Sequence, residues 1–201
     1  MTADRAADRW GEVRPMRADA RRNRESLLLA AERAFSEQGV EVSLEEVARR
    51  AGVGIGTLYR HFPARDALVE AVYRREVEIV CEAAETMLCE LPPEQALVAW
   101  TDRFVRYAAT RRGMSIALKS MVGAESDLFA YTQERVRGAA SAILTAAADA
   151  GVIRRGVDPM DVLRLLSGIC LVTGPALEEQ APRLVSLVLD GLRYGKPVQD
   201  Q

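Results

Sequence analysis

Residues 42–62, VSLEEVARRAGVGIGTLYRHF, constrain the fold more than any other stretch: a helical hydrophobic period runs up to a pair of glycines and resumes directly after them. Leu44, Val47, Ala48 and Ala51 fall at i, i+3, i+4 and i+7, so one apolar stripe repeats at the period of an α-helix. Ser43 followed three residues later by Glu46 is a capping box, in which hydroxyl and carboxylate would each satisfy a backbone N–H at the helix start. Gly52-Val53-Gly54 leaves three residues for the reversal, with glycines that accept positive φ around an apolar residue able to fill the space between two helices. At about 100° per residue, a second helix over 55–62 puts Leu58 and Phe62 on one face. Gly56, Thr57 and Arg60 then point the other way, with Tyr59 and His61 on the flanks.

Helix, tight glycine turn, helix is the arrangement in which the second helix enters the DNA major groove and the first crosses the backbone. A hairpin that only packed would gain nothing from Gly56, which costs about 1 kcal/mol against Ala inside a helix but lets a partner approach the backbone closely. The stretch AGVGIGTLYRHFPARDALVEAV resembles the DNA-binding signature of the TetR family of bacterial transcriptional repressors. The resemblance is dense over about residues 20–76 and thin beyond, where only helix count and length agree. It implies that Ser43 and Glu45 lie at the DNA-proximal start of the first helix of the pair. It implies further that Ile55, Gly56, Thr57 and Arg60 meet base edges while Tyr59, His61 and Arg65 contact phosphates. The helical wheel agrees independently for Gly56, Thr57 and Arg60, but puts Ile55 about 20° from Phe62 and so half-buried. Glu45 departs from the polar or basic residues common there; it would either accept from a cytosine amino group or favour the helix N-terminus.

Charge distribution fits this division. The chain of 201 residues carries a net charge of −2, yet residues 1–75 hold 14 arginines against 12 acidic residues, leaving −4 for the remainder. Arg14, Arg17, Arg21, Arg22 and Arg24 face only Asp19 and Glu25 in sequence, which makes Arg22 and Arg24 candidate phosphate contacts. No stretch approaches the roughly 20 apolar residues of a membrane span, and the N-terminus lacks a secretory apolar run, so a cytoplasmic protein is expected. Cys81 and Cys89 would lie about 12 Å apart along a helix, too far for a disulfide, and all three cysteines are expected to be buried small apolar residues. With His61 the one histidine, and no convergent acid, base or nucleophile set, neither a metal site, a cofactor nor an enzyme is expected. No strand-like alternation occurs, so the chain reads as all-α, and Gly52-x-Gly54-x-Gly56 is not a nucleotide loop.

Taken in order, residues 1–16 read as an arm, 17–64 as a helix-turn-helix domain and 65–201 as a regulatory and dimerisation domain, with about nine helices in all. A helix over 20–38 turns Leu27, Ala31, Ala34 and Phe35 inward and ends at Gly39. Pro63 ends the recognition helix, and a long helix over 67–88 joins the two domains as a lever. Residues 94–110 carry an aromatic stripe, Trp100, Phe104 and Tyr107, and Gly113 separates that helix from a short one ending at Met121. The stripe, with Met114 and Met121, either packs a core or lines a pocket for an apolar or amphipathic small molecule, a habit the resemblance also implies. After a helix over 128–150, Asp158-Pro159 opens the next, which runs to Gly174, and the last spans 181–194. In the last helix Leu184, Leu187, Val188 and Leu192 form a stripe with Val185 and Leu189 beside it, an arc too wide for one neighbour. A homodimer is therefore expected, with Ile169, Leu184, Leu187, Val188 and Leu192 at its interface, and a symmetric dimer implies a palindromic double-stranded operator. The alternative is a dimeric helical ligand-binding or scaffolding protein without DNA binding.

Overall fold

The computed structural model describes residues 13–122, 127–173 and 177–194, and every regular element among them is an α-helix. These are α1 (Val13–Gln38), α2 (Leu44–Arg50), α3 (Ile55–His61), α4 (Arg65–Glu90), α5 (Pro93–Val122), α6 (Asp127–Asp149), α7 (Pro159–Thr173) and α8 (Leu177–Tyr194). The chain separates into two compact units, residues 1–72 and 73–201, and the division falls inside α4.

In the first unit α1 packs on α2 and α3, and α2 on α3. Leu27, Ala31, Ala34 and Phe35 of α1 are buried with Leu44, Val47 and Ala48 of α2 and with Leu58 and Phe62, as the helical period requires. Leu68, Val69 and Val72 in the first turns of α4 are also buried. Helix α1 starts at Val13 rather than near Ala20, so residues 13–16, expected in the arm, are helical; residues 1–12 lie outside the described residues. Pro15 fits because the first-turn N–H groups lack an intrahelical partner in any case. Gly39 takes φ 82° and its N–H donates to Phe35 O at 3.0 Å, the glycine stop expected there.

In the second unit α5 packs against α6, α7 and α8, while α7 packs on α6 and α8. The chain forms eight helices among the described residues, not nine, because α5 runs unbroken through Gly113. A glycine inside a helix costs only about 1 kcal/mol, too little by itself to end a helix of this length. Helix α7 begins as expected: Met160 N–H donates to Asp158 Oδ1 at 2.8 Å, with Pro159 in the first helical position. Helix α8 begins at Leu177, earlier than residue 181, with Pro182 inside it. Gly174 and Pro175, expected to break the chain before it, lie outside the described residues, as do residues 123–126.

The cysteines are all free. Cys81 and Cys170 are buried as expected, and burial pushes the Cys81 thiol up to about 11. Cys89 is exposed instead, near the end of α4 where little packs around it. Among the described residues no helix is long and apolar enough to cross a membrane, and no group of three potential ligands could hold a metal ion.

Candidate nucleic-acid interface

The turn between α2 and α3 is built by backbone hydrogen bonds that only a left-handed residue permits. Gly52 has φ 70°; its N–H donates to Arg49 O at 3.1 Å, and Val53 N–H donates to Ala48 O at 3.0 Å. These two bonds are the Schellman closure of α2, and they explain why glycine stands at 52. Gly54 does not use positive φ: at φ −72°, ψ 149° it is the extended N-cap of α3, and its carbonyl accepts from Thr57 N–H at 2.9 Å.

Ser43 caps α2, its Oγ accepting from Glu46 N–H at 3.1 Å. The second half of the expected capping box does not form. The Glu46 carboxylate instead takes Arg49 Nε and Nη2 at 2.8 and 2.7 Å and Arg50 Nε at 2.7 Å. Two guanidinium groups outcompete one neutral N–H for a carboxylate, because charge-assisted bonds are roughly twice as strong. Those bonds, from Arg49 first and then Arg50, hold the Glu46 carboxyl down at about 2. Arg50 also donates through Nη1 to Glu37 of α1 at 2.7 Å, tying α2 to α1. The i, i+3, i+4 spacing of Glu46, Arg49 and Arg50 carried this signal in the sequence.

Helix α3 divides as the wheel requires. Leu58 and Phe62 are buried at 0% and 3% exposure, while Gly56 and Arg60 are exposed and Tyr59 is 47% exposed. Thr57, His61 and Ile55 are half-buried, which for Ile55 agrees with the wheel. Arg60 has no ion-pair or hydrogen-bond partner among the described residues. A side chain built at Gly56 would meet nothing within 4 Å, and its φ is not positive, so nothing within the chain calls for glycine there. Glu45 is exposed on the first turn of α2.

The basic residues of α1 split in role. Arg22 is exposed and ion-paired with Asp19. Arg24 holds its guanidinium 5.3 Å over the Phe62 ring, an arrangement that fixes a cation beside the end of α3 and that local sequence spacing does not reveal. Arg21 is also exposed, whereas the side chains of Arg14 and Arg17 lie outside the described residues. Arg65 departs from a simple phosphate contact. Its Nη1 donates to Val40 O at 2.7 Å and Val42 O at 2.6 Å, bracing the loop between α1 and α2. Those carbonyls precede the Ser43 cap and have no helical N–H to accept, so a long cationic side chain from the start of α4 satisfies them.

The other candidate residues lie in the second unit. Trp100, Phe104, Tyr107 and Met114 are all buried. Trp100 stacks on Phe104 at 5.5 Å, Phe104 lies 5.8 Å from Tyr107, and Trp100 Nε1 donates to Val80 O at 3.0 Å. The Met121 side chain lies outside the described residues. Of the expected interface residues, Leu187 is 63% exposed and Leu184 and Val188 are half-buried. Ile169 and Leu192, however, are buried at 7% and 5% within their own chain. Helix α8 is rotated so that Ala181, Val185, Leu189 and Leu192 face its own bundle, leaving Leu184, Leu187, Gly191 and Tyr194 outward.

Comparison with known proteins agrees with both units. Residues 27–72 match the family described as bacterial regulatory proteins, tetR family, and residues 92–194 match the family described as transcriptional regulator SbtR-like, C-terminal domain. An HTH-type transcriptional regulator of Staphylococcus aureus is 42% identical over 65 residues, which span 32% of this chain and 35% of that relative's length. Among solved structures, a TetR transcriptional regulator from Streptomyces coelicolor superposes with a TM-score of 0.77 at 46% identity, covering 86% of this chain and 99% of that one. A TetR transcription regulatory protein from Mycobacterium vanbaalenii gives 0.75 at 35% identity, covering 89% and 99%. With likeness over nearly the whole of two such proteins, and both units matched separately, this chain belongs to the TetR family of DNA-binding transcriptional regulators.

Proposed function

We propose that the chain is a cytoplasmic, non-enzymatic repressor that binds a palindromic operator as a homodimer and releases it when a small molecule binds the second unit. The observation that carries this reading is the division of α3: Leu58 and Phe62 anchor one side, while Gly56, Tyr59 and Arg60 stand outside with Arg60 unpaired among the described residues. Gly56 admits close approach to a base edge, Arg60 supplies the fork that suits guanine, and Tyr59 reaches a phosphate. Ser43 fits a phosphate as well, since its Oγ accepts from Glu46 N–H and its own proton remains to donate. The second copy is supported by the outward apolar side chains Leu165, Leu187 and Tyr194 on α7 and α8, exposed at 57%, 63% and 84%. Effector response is supported by the aromatic group on α5 and by α4, one continuous helix carried from the second unit into the first. A ligand can shift operator affinity only by its differential affinity for the two arrangements, typically about 1–3 kcal/mol.

Fluorescence anisotropy with the DNA upstream of its own gene tests the reading. Arg60→Ala should cost about 1–3 kcal/mol on that DNA and relax base preference at one position of each half-site. Equal loss on random DNA would make Arg60 a phosphate contact, and no binding by the wild type would return the chain to a helical dimer without DNA.

A further inference from the structure

Helix α1 begins at Val13, so the arginines near its start fall into helical register: positions 14, 17, 21 and 24 follow the i, i+3, i+7, i+10 period of one face, within an arc of about 80°. Local helix energetics does not favour them there. A helix start prefers acids, which complement the positive end of its dipole, yet the first turn of α1 holds no acid and carries Arg14. Further along the same face, Arg21 is exposed with no ion-pair or hydrogen-bond partner among the described residues. Arg24 is also exposed, and its contact is the Phe62 ring, 5.3 Å from guanidinium to centroid. By contrast Arg49 and Arg50 of α2 are held by Glu46, and Arg22 by Asp19. An open basin of about 540 Å³ lies against this stretch, lined by Ala18, Arg21, Arg22, Arg24 and Glu25, three guanidinium groups to one carboxylate.

A basin that gathers cations, leaves Arg21 and Arg24 without a carboxylate and opens to solvent fits a polyanion. Its place selects which one. Phe62 is the C-cap of α3, two residues after Arg60, and is buried at 3%, so the ring that seats the recognition helix also holds Arg24 beside its end. Holding that long side chain in the free protein lowers the rotamer entropy that a contact would otherwise cost on binding. We infer that Arg21 and Arg24 form a second DNA contact, gripping the phosphate backbone next to the bases that α3 meets, and that Phe62 is a positioning residue that presets Arg24 for it; this rests on the operator-binding reading above and adds a contact that reads no sequence.

Fluorescence anisotropy over a range of KCl concentrations, with the DNA upstream of its own gene and a random duplex of equal length, tests it. Arg21→Gln and Arg24→Gln should each lower the salt slope by about 1 on both duplexes and leave the ratio of the two affinities unchanged. Phe62→Leu keeps an apolar side chain in the core and removes the ring face. It should weaken binding roughly two- to fivefold more in the wild-type background than in Arg24→Gln, the worth of an exposed cation–π contact, whereas a ring that only packed would weaken both alike. Should that variant not fold, the free wild-type protein still decides, because the ring should displace the Arg24 Nε–H proton resonance upfield of its Arg21 counterpart. Equal losses in both backgrounds, or coincident resonances, overturn the positioning by Phe62. Unchanged slopes in both Gln variants, or losses confined to the upstream DNA, overturn the phosphate contact while leaving the operator reading intact. No binding of either duplex by the wild type overturns both.

Discussion

Replacing Arg65 with Met separates two roles for one side chain. The guanidinium spends Nη1 on Val40 O at 2.7 Å and Val42 O at 2.6 Å, holding the loop that delivers Ser43 to the start of α2. Methionine keeps most of the aliphatic stem and removes both bonds. Hydrogen bonds from a charged donor contribute about 1.5–3 kcal/mol, and because Arg65 is half-buried, water recovers part of that for the freed carbonyls. The net cost should be about 2 kcal/mol for the first unit, which corresponds to a roughly 30-fold faster amide exchange through opening of that unit. Hydrogen exchange of the α2 amides, with Val47 as reporter through its bond to Ser43 O at 3.2 Å, reads this directly without DNA present. Salt-dependent anisotropy on the same variant reads the alternative, since loss of a single phosphate contact lowers the salt slope by about 1. Unchanged exchange together with a reduced salt slope would refute the brace and make Arg65 a phosphate contact alone.

Gly56→Ala should stabilise the free protein by up to about 1 kcal/mol, because a methyl there meets nothing, while weakening operator binding; improved stability with unchanged affinity would remove the close approach at Gly56. Leu187→Asp should give soluble monomer by light scattering, since that side chain is 63% exposed, whereas Leu192→Asp, at 5%, should unfold the chain; a dimeric Leu187→Asp protein would move the interface elsewhere. Glu46 has its carboxyl lowered from 4.5 to about 2, so its contribution is fully present above pH 4.5 and is lost progressively as pH falls from there through about 2. Acid titration of wild type against Glu46→Gln should therefore show a stability gap that closes toward pH 2, and a gap that closed by pH 4 would contradict the Arg49 and Arg50 clamp.

Local chemistry determined the reading head. The stripe Leu44, Val47, Ala48, the Ser43 cap, the Gly52 turn and the split between Leu58 and Arg60 all depend on residues within four positions of one another, so they were legible in the chain alone. Where several outcomes had similar local energy, tertiary structure decided. Gly113 costs a helix only about 1 kcal/mol, so the sequence left open whether the helix stops there, and α5 runs through it. An apolar arc as wide as that of α8 satisfies the helical period at more than one rotation; packing against its own bundle chose the one that buries Leu192 and leaves Leu187 outside. Arg65 reaching back to Val40 and Arg24 lying over Phe62 are contacts set between distant segments. A sequence states which charges and donors a chain owns, but only the assembled fold decides which of them are already spent.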